Sequence, residues 1–237
     1  MNKQSNLYTI IYSTVLVVVV GAVLAMTFMA LKPKQEANIA ADKMKQILSS
    51  VHVTADDATV KDTYAKYISE SFIVNEKGDK VAGDAFDVNI AAQSKIGAAQ
   101  RLLPVFVCHL EDNTTKYILP VYGAGLWGPI WGYVAVDDNG STIFGAYFSH
   151  QGETPGLGAE IAKPEFQKQF DGKNLYINGE FKSIGVMKAG QKPTNGGEYV
   201  NAVSGGTITS KGVQSMLQSS LSAYNAFFKK LQESSKH

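Results

Sequence analysis

The chain has 237 residues, of which 45% are hydrophobic and 18% charged, with 22 basic against 21 acidic side chains and one cysteine. A net charge of +1 supplies no basic surplus for a phosphate backbone, which argues against nucleic acid as a partner. A single cysteine excludes an intrachain disulfide and a cysteine-held metal cluster, and Cys108, within the apolar run from Leu102, reads as a small buried hydrophobe.

The average composition conceals a chain in two parts. From Gln4 to Leu31 there is no charged side chain, and residues 7–31 are dominated by Leu, Ile, Val, Ala, Met and Phe. As a helix this stretch rises about 37 Å, enough to cross a hydrocarbon core of about 30 Å. A cleaved signal peptide has an apolar region of only about 7–15 residues, so the stretch predicts an uncleaved transmembrane anchor. Lys3 and the amino terminus nearly balance Lys32 and Lys34, so charge leaves the orientation open. No second apolar stretch approaches spanning length, which places the remainder on one side.

After the anchor, Ile39, Met44, Ile47, Leu48 and Val51 recur at roughly helical spacing. Val60, Tyr64, Tyr67, Ile68 and Phe72 do so again behind Asp56 and Asp57, and the two sets predict two short helices. Apolar runs separated by turn residues follow. Leu102–Leu110 and Lys116–Val121 flank Glu111–Thr115, while Gly132–Val136 and Ser141–Ser149 flank Asp137–Gly140, whose Asn-Gly pair is a hairpin signal. Pro164 and Gly172 bracket a short helix bearing Phe166 and Phe170. Val213, Leu217, Tyr224, Phe228 and Leu231 mark the apolar face of a C-terminal helix. The expected fold class is α+β, with one transmembrane helix followed by a mainly antiparallel sheet and flanking helices.

Two stretches carry chemistry. Ser204-Gly205-Gly206-Thr207-Ile208-Thr209-Ser210 places glycines and hydroxyls directly before the C-terminal helix, where free backbone N–H groups can seat a phosphate. It lacks the spacing and Lys-Ser/Thr ending of a Walker loop, and Ser/Thr/Gly before a helix also serves as a plain cap. His150–Glu160 leaves a strand with three glycines and a proline among polar groups, suited to a tight loop against a ligand or to an ordinary connection. His150 reads as a hydrogen-bonded strand terminus, since no metal-spaced cluster accompanies it. Trp127 and Trp131 suit either ligand shielding or hairpin packing.

Together with Tyr8–Tyr12 and the Gly125-Leu126-Trp127-Gly128-Pro129-Ile130-Trp131-Gly132-Tyr133 stretch, the Glu153-Thr154-Pro155-Gly156-Leu157-Gly158 loop and the Ser204–Ser210 turn resemble, in this order, the C subunit of the bacterial sodium-translocating NADH:quinone oxidoreductase. The resemblance implies FMN joined through its phosphate to the second hydroxyl residue of a Ser/Thr-Gly-Ala-Thr motif, which is Thr207 here. It implies cofactor contacts from Glu153, Thr154, Leu157, Gly158, Lys188, Ser204, Gly205, Gly206, Thr209 and Ser210, with Lys188 as a cation favouring the reduced flavin. It further implies a flavin transferase acting in maturation, membrane lipid around the anchor, and partner subunits carrying the NADH, quinone and Na+ sites, since this chain has neither a dinucleotide fingerprint nor an intramembrane charge. The expected layout is a cytoplasmic tail over 1–6, the anchor over 7–31, a helical or mixed juxtamembrane region over 32–95 and an FMN-binding domain over 96–237, periplasmic by analogy. Gly206 stands where the family has alanine, and Asn201 where an aspartate is usual. The last departure removes a carboxylate from the sequence presented to the transferase. The G subunit of the related Rnf complex and a cofactor-free membrane-tethered scaffold are the competing readings.

Overall fold

The computed structural model describes residues 6–97 and 100–235; the amino-terminal tail with Lys3 lies outside them. The chain divides into two compact units, Met1–Lys43 and Met44–His237. The described part of the first unit is all helix, belonging to α1 (Asn6–Ser49), whose last residues are in the second unit. α1 is the one helix among the described residues long and apolar enough to cross a membrane, with a mean hydropathy of 2.6 over its best window. The Thr14 and Thr27 hydroxyls donate to the carbonyls of Ile10 and Val23, both at 2.8 Å, so these polar groups are satisfied within the helix, as hydrocarbon requires.

Residues 39–51 do not form a separate helix after the anchor: α1 runs through Pro33 without a break. Proline removes one backbone donor, but the flanking Ala30, Leu31, Lys34, Gln35 and Glu36 are strong helix formers that keep the turns on either side intact. The next predicted helix is also shorter than its spacing implied. α2 (Val60–Tyr67) ends before Ile68, and Ile68 and Phe72 lie on strand β1 (Ile68–Val74). Pairing with a distant strand overrides the helical period there.

β1 is followed by β2 (Lys80–Val81), the single-turn α3 (Ile90–Gln93), β3 (Leu103–His109), β4 (Thr115–Ala124), β5 (Pro129–Asp137) and β6 (Ile143–His150). The six strands form one antiparallel sheet in the order β2-β1-β3-β4-β5-β6, with Phe72 opposite Val105 and Leu119 opposite Val134. Both predicted hairpins are present. Their turns are held by side chains that accept backbone N–H groups: Asp112 from Thr114 at 2.9 Å, and Asn139 from Ser141 and Thr142 at 2.8 and 3.0 Å.

A short helix, α4 (Pro164–Gln167), leads to β7 (Tyr176–Ile177), β8 (Glu180–Phe181), β9 (Gly185–Met187) and β10 (Tyr199–Asn201), then to α5 (Thr207–Ala223) and α6 (Asn225–Ser234). The predicted single C-terminal helix is therefore two. The break falls at Tyr224, whose buried hydroxyl donates to the Pro104 carbonyl at 2.8 Å and whose backbone leaves helical geometry to allow it. One face of the sheet packs Leu119, Val121, Val134 and Phe148 against Val213, Leu217 and Leu221 of α5 and Phe228 of α6. The other packs Phe106, Cys108, Ile118 and Ala135 against Ile47 and Val51. At about 1.5–3 kcal/mol for each large apolar side chain taken from water, the first of these faces locks α5 across the sheet. Burial pushes the Cys108 thiol up to about 11 against the pull of Lys116, so it serves as packing.

Candidate functional site

The site grows from the start of α5. Parallel pairing of β9 with β10 lays Gly185–Met187 along Tyr199–Asn201, and the Ala202 N–H donates to the Met187 carbonyl at 2.7 Å. Lys188 thereby comes beside the turn that precedes α5. Within that turn the Val203 N–H donates to Ser210 Oγ at 3.1 Å, and the Gly206 N–H to the Val203 carbonyl at 3.1 Å. Gly205 has φ +72°, a backbone conformation that favours glycine, and it packs beneath Leu157, whose Cδ2 would lie 2.5 Å from a Cβ there. No side chain caps α5 at its N-terminus. Its first N–H groups are orphans at the positive end of the helix dipole, a favourable seat for an anion.

The hydroxyls of the motif are not equivalent. Thr209 and Ser210 are buried and engaged, while Ser204 is exposed. Thr207, the first residue of α5, is half-buried, and its hydroxyl has no hydrogen-bond partner among the described residues.

Glu153, 5% exposed, ties three segments together. Its Oε1 accepts the Trp127 N–H at 2.9 Å and its Oε2 accepts the Thr209 hydroxyl at 2.5 Å. Its own N–H donates to His150 Nδ1 at 3.2 Å, which makes His150 the bonded strand terminus expected of it. Burial pushes the Glu153 carboxyl up, but hydrogen bonds from Thr209, Trp127 and Leu126, aided by His150, outweigh it and hold the carboxyl below its ordinary range. Gly158 allows this packing, because a Cβ there would run into the Glu153 carboxylate and the Thr209 hydroxyl.

Two cavities flank Thr207. The first, about 360 Å³, is lined by Glu153, Thr154, Leu157, Gly158, Gly205, Gly206, Thr207 and Thr209, together with Leu126, Trp127 and Ile208. The second, about 410 Å³, is lined by Lys188, Thr207 and Ser210 with Lys211, Gln214 and neighbours. The structure therefore gathers eight of the sequence-predicted residues about one cavity and places Lys188 and Ser210 about the other. Thr207 is common to both, and Ser204 lines neither. Trp131 lies apart on β5, its Nε1 donating to Gln46 Oε1 at 3.1 Å.

Sequence reasoning missed Leu126 and Ile208 on the first cavity and Lys211 and Gln214 on the second. Leu126, Trp127, Leu157 and Ile208 are 46%, 69%, 43% and 57% exposed, an apolar rim left open to solvent. The signal was available for Leu126, which stands between Gly125 and Gly128 in a four-residue turn too short to be buried. At Gly206, the alanine usual in the resembling motif would put a Cβ 3.2 Å from Val203 and 3.3 Å from the Gly158 nitrogen, close enough that the neighbours must give slightly.

A helix N-terminus with a free hydroxyl between an apolar and a cationic cavity is the class of site that can seat a phosphorylated ligand, and the family model described as an FMN-binding domain matches residues 125–222. That span opens at the Leu126–Trp127 turn and closes in α5. The relatives are more particular. The Na(+)-translocating NADH-quinone reductase C subunit of Haemophilus ducreyi is 33% identical over 90% of this chain and 88% of its own, and that of Neisseria meningitidis serogroup B is 33% identical over the same shares. The crystal structure of the same reductase's C subunit from Parabacteroides distasonis is 49% identical, with a TM-score of 0.79 over 84% of this chain and 96% of that one. NqrC of Shewanella oneidensis is 28% identical, with a TM-score of 0.68 over 83% and 99%. The chain belongs to the family of C subunits of Na(+)-translocating NADH-quinone reductase.

Proposed function

We propose that this chain is an electron-transfer subunit of a membrane NADH:quinone reductase that exports Na+, and that it carries FMN through a phosphoester to Thr207. The observation that carries the reading is the position of Thr207: its hydroxyl is unbonded among the described residues, and alone among the motif's hydroxyl residues it begins α5 and lines both cavities. Each cavity falls in the range of about 300–1,000 Å³ usual for ligand sites. The glycines at 158 and 205 keep backbone close to the first cavity, where Leu126, Trp127, Leu157 and Ile208 supply the apolar surface a flavin ring requires. Lys188, Lys211 and the orphan N–H groups of α5 supply the positive charge a phosphodiester requires.

Held there, FMN would supply the electron-carrying chemistry between the redox centres of partner subunits. The chain's part is to hold the cofactor, orient it and set its potential. Thr207 is an acceptor of modification: its hydroxyl oxygen takes the FMN phosphoryl group from FAD on a flavin transferase, with AMP leaving. No general base beside it is needed in the finished protein. Other subunits of the reductase provide the NADH, quinone and Na+ sites. α1 anchors the chain in membrane lipid, with the soluble body on the periplasmic side of the bacterial inner membrane and the amino terminus in the cytoplasm. Ultraviolet viewing of a denaturing gel tests the reading: the full chain from a host with the transferase fluoresces as a flavin, and Thr207→Ala does not. A dark wild-type band would defeat it and favour a cofactor-free scaffold.

A further inference from the structure

We propose that Glu153 is a positioning residue of the flavin site, whose buried carboxylate is a fixed negative charge that holds the cavity rim in place and lowers the flavin's reduction potential. This rests on the placement of FMN at Thr207 proposed above. Glu153 lines the first cavity, yet the donors on its carboxylate come from the chain itself: the Thr209 hydroxyl at 2.5 Å, and the Trp127 N–H at 2.9 Å reinforced by Leu126. Thr209 belongs to the first turn of α5, two residues after Thr207. Trp127 and Leu126 form half of the exposed apolar rim. One carboxylate thus fixes the distance between the attachment residue's helix and the surface offered to the ring.

The anion is built into the fold. Gly125 and Gly158, on opposite sides of it, both lack room for a Cβ because the carboxylate fills that space. No ion pair among the described residues involves Glu153: its charge is held chiefly by neutral donors, with a smaller pull from His150 and no paired cation to cancel it. Such donors hold the carboxyl ionised despite burial. Reduction adds negative charge to a flavin, and an uncancelled anion in a poorly solvated wall opposes that more strongly than an exposed charge would. Lys188 and Lys211 act in the other sense, but both are exposed and screened by solvent and salt.

The test uses the full-length protein purified in detergent from a host with the transferase. Gel fluorescence first establishes whether wild type, Glu153→Gln and Thr209→Val carry flavin, and a redox titration of flavin absorbance then gives each midpoint potential. Glu153→Gln removes the charge at nearly constant shape, and its potential shifts upward. Thr209→Val keeps the charge, and its potential shows no comparable rise. A Glu153→Gln potential at or below that of wild type overturns the proposal while leaving the FMN assignment standing; a wild type without flavin overturns the assignment itself. Redox-difference infrared spectra of the wild type provide a second readout that does not need the Gln variant. Flavin reduction shifts a carboxylate stretching band, and Thr209→Val changes that band's frequency. A difference spectrum with no carboxylate signal overturns the proposal.

Discussion

Thr209→Val isolates the central polar contact of the site. Valine matches threonine in shape but cannot donate, so the substitution deprives the buried Glu153 carboxylate of its shortest hydrogen bond, 2.5 Å, while leaving the Trp127 N–H in place. A hydrogen bond to a charged group contributes about 1.5–3 kcal/mol. Both partners are nearly sealed from solvent, Thr209 at 1% and Glu153 at 5% exposure, so the full range applies. For a unit of this size, about 2–4 °C per kcal/mol translates it into a fall in Tm of about 3–12 °C near neutral pH. The sign with pH follows from the depressed carboxyl of Glu153. Its contribution to stability is complete above its ordinary value of 4.5 and is lost as pH falls through the lower folded value. In Thr209→Val that folded value rises, so less stability is at stake and its loss is complete at higher pH; the gap between the two proteins is widest above about pH 4.5 and narrows below it. Thermal unfolding of the full chain in detergent, followed by circular dichroism at about pH 7 and about pH 3.5, measures both quantities. Equal Tm values near pH 7, or a gap that does not shrink on acidification, would refute this account of the Glu153–Thr209 contact.

Further outcomes follow from the same geometry. Gly158→Ala forces a methyl group against the Glu153 carboxylate and the Thr209 hydroxyl; it should cost about 1–3 kcal/mol and sharply reduce FMN incorporation, read by melting and by gel fluorescence. Lys188→Met should lower the flavin potential, by less than Glu153→Gln raises it because Lys188 is exposed, and the shift should shrink as salt is added. A potential unchanged at low ionic strength would remove Lys188 from the electrostatics of the site.

Local rules made much of the fold readable. The long apolar helix α1 announced itself through an uncharged stretch, and both hairpins through turn residues such as Asp112 and Asn139, whose side chains do hold the turns. Phe166 lies on α4 and Phe170 on the 3-10 turn Lys168–Phe170 that follows it, and both pack on Phe148, with ring centroids 6.1 and 5.1 Å away. What failed depended on distant partners. Ile68 and Phe72 continued a helical spacing, but β3, more than thirty residues on, draws them into the sheet. The break at Tyr224 depends on a carbonyl 120 residues earlier in the chain.

The candidate site divides in the same way. The Ser204–Ser210 turn and the Glu153–Gly158 loop stood out by composition, and the fold places most of their residues about one cavity. Nothing in composition could show that Glu153 reaches Trp127 and Thr209, 26 and 56 residues away, or that Lys188 and Ser210 face a second cavity across Thr207. Ile208, a lone apolar residue among hydroxyls, carries no ligand signal by itself, yet it is 57% exposed at the cavity rim.

The central claim is most directly tested by the intact mass and peptide map of the full chain made with its flavin transferase. The account predicts a mass increased by one FMN less one water, carried on the peptide containing Thr207, retained in Thr207→Ser and lost in Thr207→Ala. A wild-type chain of bare mass, or an adduct that survives Thr207→Ala, would contradict it.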